Sequence, residues 1–182
     1  MLKTEDELQS PARGLAIRSG LLPEGMRLLL IGLFLLTGAA YAGEPKPCVF
    51  CEIVAGRGAA AVVYRDEQVM AFMDIAPHNP GHVLVIPVAH ASDILEVHTA
   101  TAEEMMVVAQ KIARAIRKAG LKADGFNFRM NVGAAAGQSV FHAHLHVVPR
   151  FVGDAGGQTH VVARVPVGEL ESVAAQIRAQ LE

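Results

Sequence analysis

The chain has 182 residues, 52% of them hydrophobic and none of them tryptophan, with a formal net charge of −2. That length and apolar content fit one domain with a full core. The absence of a basic excess argues against a nucleic-acid partner held by a charged surface, so any anionic ligand must be held by local dipoles and a few side chains.

Residues 1–25 are mixed and polar, without periodicity, and read as an unstructured extension or a mis-assigned start. Met26-Arg27 then opens the run Leu28 to Leu36, in which only Gly32 is not a large apolar residue, and Ala40-Tyr41-Ala42 follows. A charge, an apolar core and an A-x-A site are the parts of a secretory signal. The run is shorter than the ~20 residues of a membrane span. Residues 26–42 are therefore expected to direct export to the periplasm or the exterior, with only transient membrane contact, and residues 43–47 to be a linker. The competing reading is a cytoplasmic protein with an artefactual leader.

Beyond the linker, Cys48 to Ala55 can form a short helix ended by Gly56 and Gly58. Ala61 to Arg65 and Val69 to Asp74 read as two strands around an Asp66-Glu67 turn. Pro77, Pro80 and Gly81 mark a loop, and His82 to Pro87 reads as a strand. Thr101 is the expected N-cap of a long helix, with Glu103 and Glu104 opposing the helix dipole in its first turn. Met105, Val108, Ile112, Ala115 and Ile116 form its apolar stripe, and Gly120 stops it. Phe126 to Val132 reads as a strand, Gly133 to Ser139 as a loop of small residues, and Gly153 to Gly157 as a flexible segment. Gly168 to Leu181 reads as a final helix. Five strands and two longer helices without βαβ alternation predict an α+β fold with an antiparallel sheet.

Cys48 and Cys51 are the only cysteines. One C-x-x-C pair is too little for a disulfide framework and leaves a metal half-site or a redox dithiol. Between Phe141 and Val148, His142, His144 and His146 alternate with Ala143, Leu145 and Val147. On a strand the imidazoles would share one face, each about 6.6 Å from the next, while the apolar residues bury on the other. Three adjacent imidazoles are costly as mere packing and point to chemistry on phosphate or metal. At a pKa near ~6.5 about three quarters of a free imidazole is neutral at pH 7. A neutral imidazole can attack phosphorus and form a covalent phosphoramidate. Gln138 and Ser139 offer an amide and a hydroxyl beside this row, and the glycines before them allow close backbone approach.

The stretch Gly137-Gln138-Ser139-Val140-Phe141-His142-Ala143-His144-Leu145-His146-Val147-Val148 resembles the signature of the histidine-triad (HIT) family of nucleotide hydrolases and transferases. Further matches follow in order: Cys48-Val49-Phe50-Cys51-Glu52-Ile53, Ala71-Phe72-Met73-Asp74-Ile75, Gly81 to Pro87 with His90, and Asn131-Val132-Gly133. The resemblance covers Cys48 to Arg150, and residues 151–182 form a C-terminal extension with a terminal helix. It implies a five-stranded antiparallel sheet that joins a second copy into a ten-stranded sheet. It implies a hydrolase acting at the α-phosphate of purine nucleoside phosphoramidates or dinucleoside polyphosphates. In that reading His144 is the nucleophile, His146 and His82 orient or stabilise the phosphate, His142 supports the nucleophile, and Ser139 serves the phosphate or leaving group. Phe50, Ile53 and Ile75 would line the base slot. Asp74 would hold the ribose, and Asn131, Gln138 and Ser139 would contact the nucleotide. The third histidine, His146, favours the hydrolase branch over the transferase branch, which carries glutamine there.

The same resemblance implies structural zinc on Cys48, Cys51, His90 and His142, the rival being a Cys48–Cys51 disulfide in an oxidising compartment. Zinc on the triad itself would consume the nucleophile. A different class of function also fits the motifs: a nucleotide-binding or protein-interaction module with little turnover.

Overall fold

Val69–Met73 and Val83–Pro87 are short, wholly apolar runs, and both are buried along their entire length because both faces of the sheet are covered at its centre. They are the second and third strands of a five-stranded antiparallel sheet in a computed structural model of the chain. In chain order the elements are α1 (Val49–Val54), β1 (Val62–Arg65), β2 (Val69–Met73), β3 (Val83–Pro87), α2 (Thr99–Lys118), β4 (Gly125–Arg129), β5 (Leu145–Arg150) and α3 (Val167–Arg178). The spatial order is β1-β2-β3-β5-β4, with every pair antiparallel. The structure describes residues 48–154 and 163–181. The extension, the signal-like segment, the linker, most of the Gly153 to Gly157 loop and His160 lie outside the described residues. Among the described residues no helix is long and apolar enough to cross a membrane.

The α+β expectation holds. One sheet face packs on α2 and α3: Val69, Ala71, Met73, Val83, Val85, Leu145 and Val147 meet Met105, Val108, Ile112, Ile116, Leu170 and Ile177. On the other face Met70, Phe72, Leu84 and Ile86 meet Phe50 and Ile53 of α1. The rest of that second face carries His146, because it is paired with Leu84 across β3 and with Arg129 across β4. Residues directly opposite one another in a ladder share a face.

Among the boundaries that differ from the sequence reading, three concern the long helix and the strands around the histidines. Helix α2 is capped by His98, not Thr101. The His98 ring Nδ1 accepts the Ala100 N–H at 3.3 Å, while the Thr101 hydroxyl bonds Gln68, so Glu103 and Glu104 fall beyond the first turn. The strand expected from Phe126 to Val132 ends at Arg129. The histidine strand begins only at Leu145. Before it, His142 N–H bonds the Val140 carbonyl at 3.0 Å and Ala143 N–H bonds the Ala91 carbonyl at 2.8 Å. The backbone is drawn out of the ladder there, so the three imidazoles do not stand as one even row.

Candidate active site

The three histidines face three environments. His142 is fully buried and turns toward α1. Its Nε2–H donates to the Pro87 carbonyl at 2.9 Å, which leaves the lone pair on Nδ1. That Nδ1 lies 3.4 Å from Cys48 Sγ, 3.6 Å from Cys51 Sγ and 3.3 Å from His90 Nδ1, and Cys51 Sγ lies 3.3 Å from His90 Nδ1. Both cysteines are free thiols. All four donor atoms lie within 4.8 Å of one another. A tetrahedral ion with metal–sulfur bonds of about 2.3 Å and metal–nitrogen bonds of about 2.1 Å would set edges of about 3.4 to 3.8 Å. The observed separations match such a cage, and the Pro87 carbonyl is the kind of outer partner that fixes a ligating imidazole.

His144 is buried and its Nδ1 meets the His142 carbonyl at 2.7 Å, so Nδ1–H donates and Nε2 keeps its lone pair. Its ring edges onto Phe50, with centroids 5.4 Å apart, and lies 5.0 Å from the ring of His146.

His146 belongs to a hydrogen-bonded chain. His78 N–H donates to His82 Nδ1 at 3.2 Å, so His82 carries its proton on Nε2. That proton is donated to His146 Nδ1 at 3.0 Å, which places the His146 proton on Nε2. Burial pushes the pKa of both rings down to about 3, helped for His82 by the neighbouring His78 and Arg129 and for His146 by His82 and His144. Both are therefore neutral imidazoles around pH 7. Asp74 stands beside them: its Oδ1 accepts Ala76 N–H at 2.8 Å, and its Oδ2 lies 3.5 Å from His82 Nε2 and 3.8 Å from His146 Nδ1.

A cleft of about 360 Å³ opens over this row. Of the residues singled out from sequence, it brings together Phe50, Ile53, Asp74, Ile75, Ser139, His144 and His146. His82 reaches it only through His146, and His142 is turned to the cysteines. Gln138 and Asn131 do not line it. The buried Gln138 amide accepts Gly133 N–H at 2.8 Å and donates to the carbonyls of Ser92 at 2.6 Å and Val140 at 3.1 Å. Asn131 donates to the Gly137 carbonyl at 3.3 Å. Both side chains thus build the loop whose glycines, Gly133 and Gly137, take positive φ, and that loop presents the exposed Ser139. Sequence reasoning missed Arg164, which lines the cleft from the C-terminal extension, and Leu84 and Val140 in its wall. Nothing in the local sequence around Arg164 marks it.

An α+β fold that brings His144 and His146 to an apolar cleft and turns His142 into a Cys2His2 cluster defines a small class of proteins. The chain belongs to the HIT family: the HIT domain model matches residues 56–153. It is 41% identical over 138 residues to protein hit of Bacillus subtilis, a match covering 74% of this chain and 94% of that one. It is 38% identical over 103 residues to the adenylylsulfatase HINT3 of Arabidopsis thaliana, covering 57% of this chain and 52% of that one. Among solved structures, a zinc-bound histidine triad family protein from Mycobacterium smegmatis superposes with a TM-score of 0.65 at 44% identity, covering 74% of this chain and 93% of that chain.

Proposed function

We propose that the chain is a nucleotide hydrolase that cleaves at the α-phosphate of purine nucleoside phosphoramidates or dinucleoside polyphosphates through His144. The observation that carries this reading is the Nδ1–H bond from His144 to the His142 carbonyl at 2.7 Å. It leaves a nucleophilic Nε2 beside a neutral N–H donor on His146. The Nε2 lone pair attacks the α-phosphorus, the P–Nε2 bond forms, and the bond from phosphorus to the leaving group breaks with its electron pair. Water then displaces His144 from the nucleotidyl-histidine, giving the mononucleotide and the free ring. His146 Nε2–H donates to a phosphate oxygen, and the Ser139 hydroxyl lies within the same cleft to serve the phosphate or leaving group. The base rests against Phe50, Ile53 and Ile75, and Asp74 takes the ribose. The adenylylsulfatase name of one relative supports a nucleotide hydrolase.

Cys48, Cys51, His90 and His142 would hold a structural zinc ion, which supplies a crosslink between α1 and the histidine segment and no step of the reaction. The fitting donor set and the zinc-bound relative support it. A second copy would pack on the exposed Met106 and Val107 of α2 and the edge strand β4 with its exposed Phe128. A light-scattering mass of one chain overturns the dimer. The leader would direct export, and an intact Met1 on cytosolic protein overturns that.

The function is tested by incubating the full chain with an adenosine phosphoramidate and with diadenosine polyphosphate, beside His144→Ala. Turnover by the wild type alone, with AMP trapped on His144 by mass spectrometry of a quenched reaction, is expected. Equal rates for the two proteins remove the enzymatic role of His144, and no turnover by either leaves a nucleotide-binding or protein-interaction module.

A further inference from the structure

Arg129 is an expensive residue where it stands. It lies on the histidine face of the sheet, opposite His146 in the ladder. Its Nε is a buried side-chain nitrogen without a hydrogen-bond partner, and among the described residues no carboxylate pairs with it. A half-desolvated guanidinium held this way costs stability, and an apolar side chain would fill the position without that cost. Its partner is His78, whose Nε2 accepts from Arg129 Nη2 at 2.9 Å.

His78 in turn touches His82 twice. Its ring stacks on the His82 ring, with centroids 5.4 Å apart and planes inclined by 25°. Its backbone N–H is the donor to His82 Nδ1 at 3.2 Å. That single bond decides where the His82 proton sits, and the His82–His146 bond at 3.0 Å carries the decision onward. If His82 reversed its tautomer, His146 would have to carry its proton on Nδ1. Its Nε2 lone pair would then face the lone pairs of a phosphate oxygen.

We propose that Arg129 and His78 are positioning residues that fix the His82–His146 pair in the tautomer that presents His146 Nε2–H to the phosphate. The pair acts by holding residue 78 in place, and the guanidinium charge also opposes protonation of both rings. This deepens the hydrolase reading and rests on it for its kinetic consequence, while the tautomer itself can be read without turnover.

The test uses the full chain with Arg129→Met, Arg129→Lys and His78→Leu, the last keeping the backbone N–H while removing the ring acceptor. Histidine ¹⁵N NMR of the wild type should show His146 protonated on Nε2, and Arg129→Met and His78→Leu should each show a mixture of tautomers. In the hydrolase assay both should lower kcat about tenfold with KM within about twofold, as outer partners of functional histidines do. Arg129→Lys, which can still donate to His78, should recover most of kcat. A purely structural role would instead lower thermal stability without changing the tautomer of the folded protein. Unchanged His146 tautomer in Arg129→Met, or in His78→Leu if the former does not fold, overturns the proposal. A wild type without turnover refutes the hydrolase and leaves the tautomer measurement to decide.

Discussion

His144 donates its Nδ1–H to the carbonyl of His142 across 2.7 Å, and the ring of that same His142 belongs to the Cys2His2 cluster. One residue therefore ties the orientation of the proposed nucleophile to the state of the cluster. Helix α1, only six residues long, carries Phe50 and Ile53 between and beside the two cysteines, so the cage also anchors a wall of the cleft. On the proposed zinc reading, treatment with a chelator, or replacing both cysteines by serine, should lower kcat/KM by about 10- to 100-fold. Metal analysis and steady-state kinetics on the same samples check this. Metal-free protein with undiminished kcat/KM would break the link.

Phe50 serves packing and positioning together. Its ring edges onto Phe72 at 5.4 Å, His142 at 5.8 Å and His144 at 5.4 Å. Phe50→Ala should cost about 3 kcal/mol of stability, the low end for a buried aromatic because one side of the ring borders the cleft. Phe50→Leu should cost about 1 kcal/mol. Urea unfolding gives both values. Since Leu restores bulk but not the edge contact to His144, its kcat should stay below that of the wild type while its stability nearly recovers.

Periodicity and turn chemistry made most of the fold legible. The apolar stripe of α2 was readable because Met105, Val108, Ile112 and Ile116 recur at helical spacing, and all four are buried. The cleft residues Phe50, Asp74 and Ile75 were readable only through the resemblance, since each alone passes for core or turn. The strand period misplaced His142 because a tertiary bond, Ala143 N–H to Ala91, overrides local alternation. Gln138 and Asn131 brace the loop through the carbonyls of Ser92, Val140 and Gly137, contacts that no local pattern in the sequence announces. Arg129 was not singled out in the sequence, since its partner lies 51 residues away and only the folded sheet supplies it.

Acid should destabilise the protein through His82 and His146. Each has a folded pKa of about 3 against about 6.5 when unfolded, so between those values the unfolded chain binds more protons. Their contribution is complete above pH 6.5 and falls by about 1.4 kcal/mol per histidine per pH unit toward pH 3. At pH 5 that is roughly 2 kcal/mol for each ring. Urea midpoints at pH 7 and pH 5 measure the loss, and His146→Asn should remove about half of the histidine part of it. An identical pH dependence in wild type and variant would contradict the neutral, buried assignment of His146.

Asp74 lines the cleft beside the histidines, with Oδ1 occupied by Ala76 N–H at 2.8 Å and Oδ2 3.5 Å from His82 Nε2 and 3.8 Å from His146 Nδ1. If Oδ2 accepts from a ribose hydroxyl, Asp74→Asn keeps the shape but loses a charge-assisted bond, worth about 1.5 kcal/mol. KM for a ribonucleotide substrate should then rise about tenfold with kcat changed less than threefold. The 2′-deoxy analogue should bind wild type weakly already and lose little more in the variant. Asp74 also approaches His82 at 3.5 Å, so a role confined to the histidine pair would instead lower kcat for both substrates equally. Comparing the two substrates in wild type and Asp74→Asn separates these outcomes, because only sugar recognition depends on whether the hydroxyl is present.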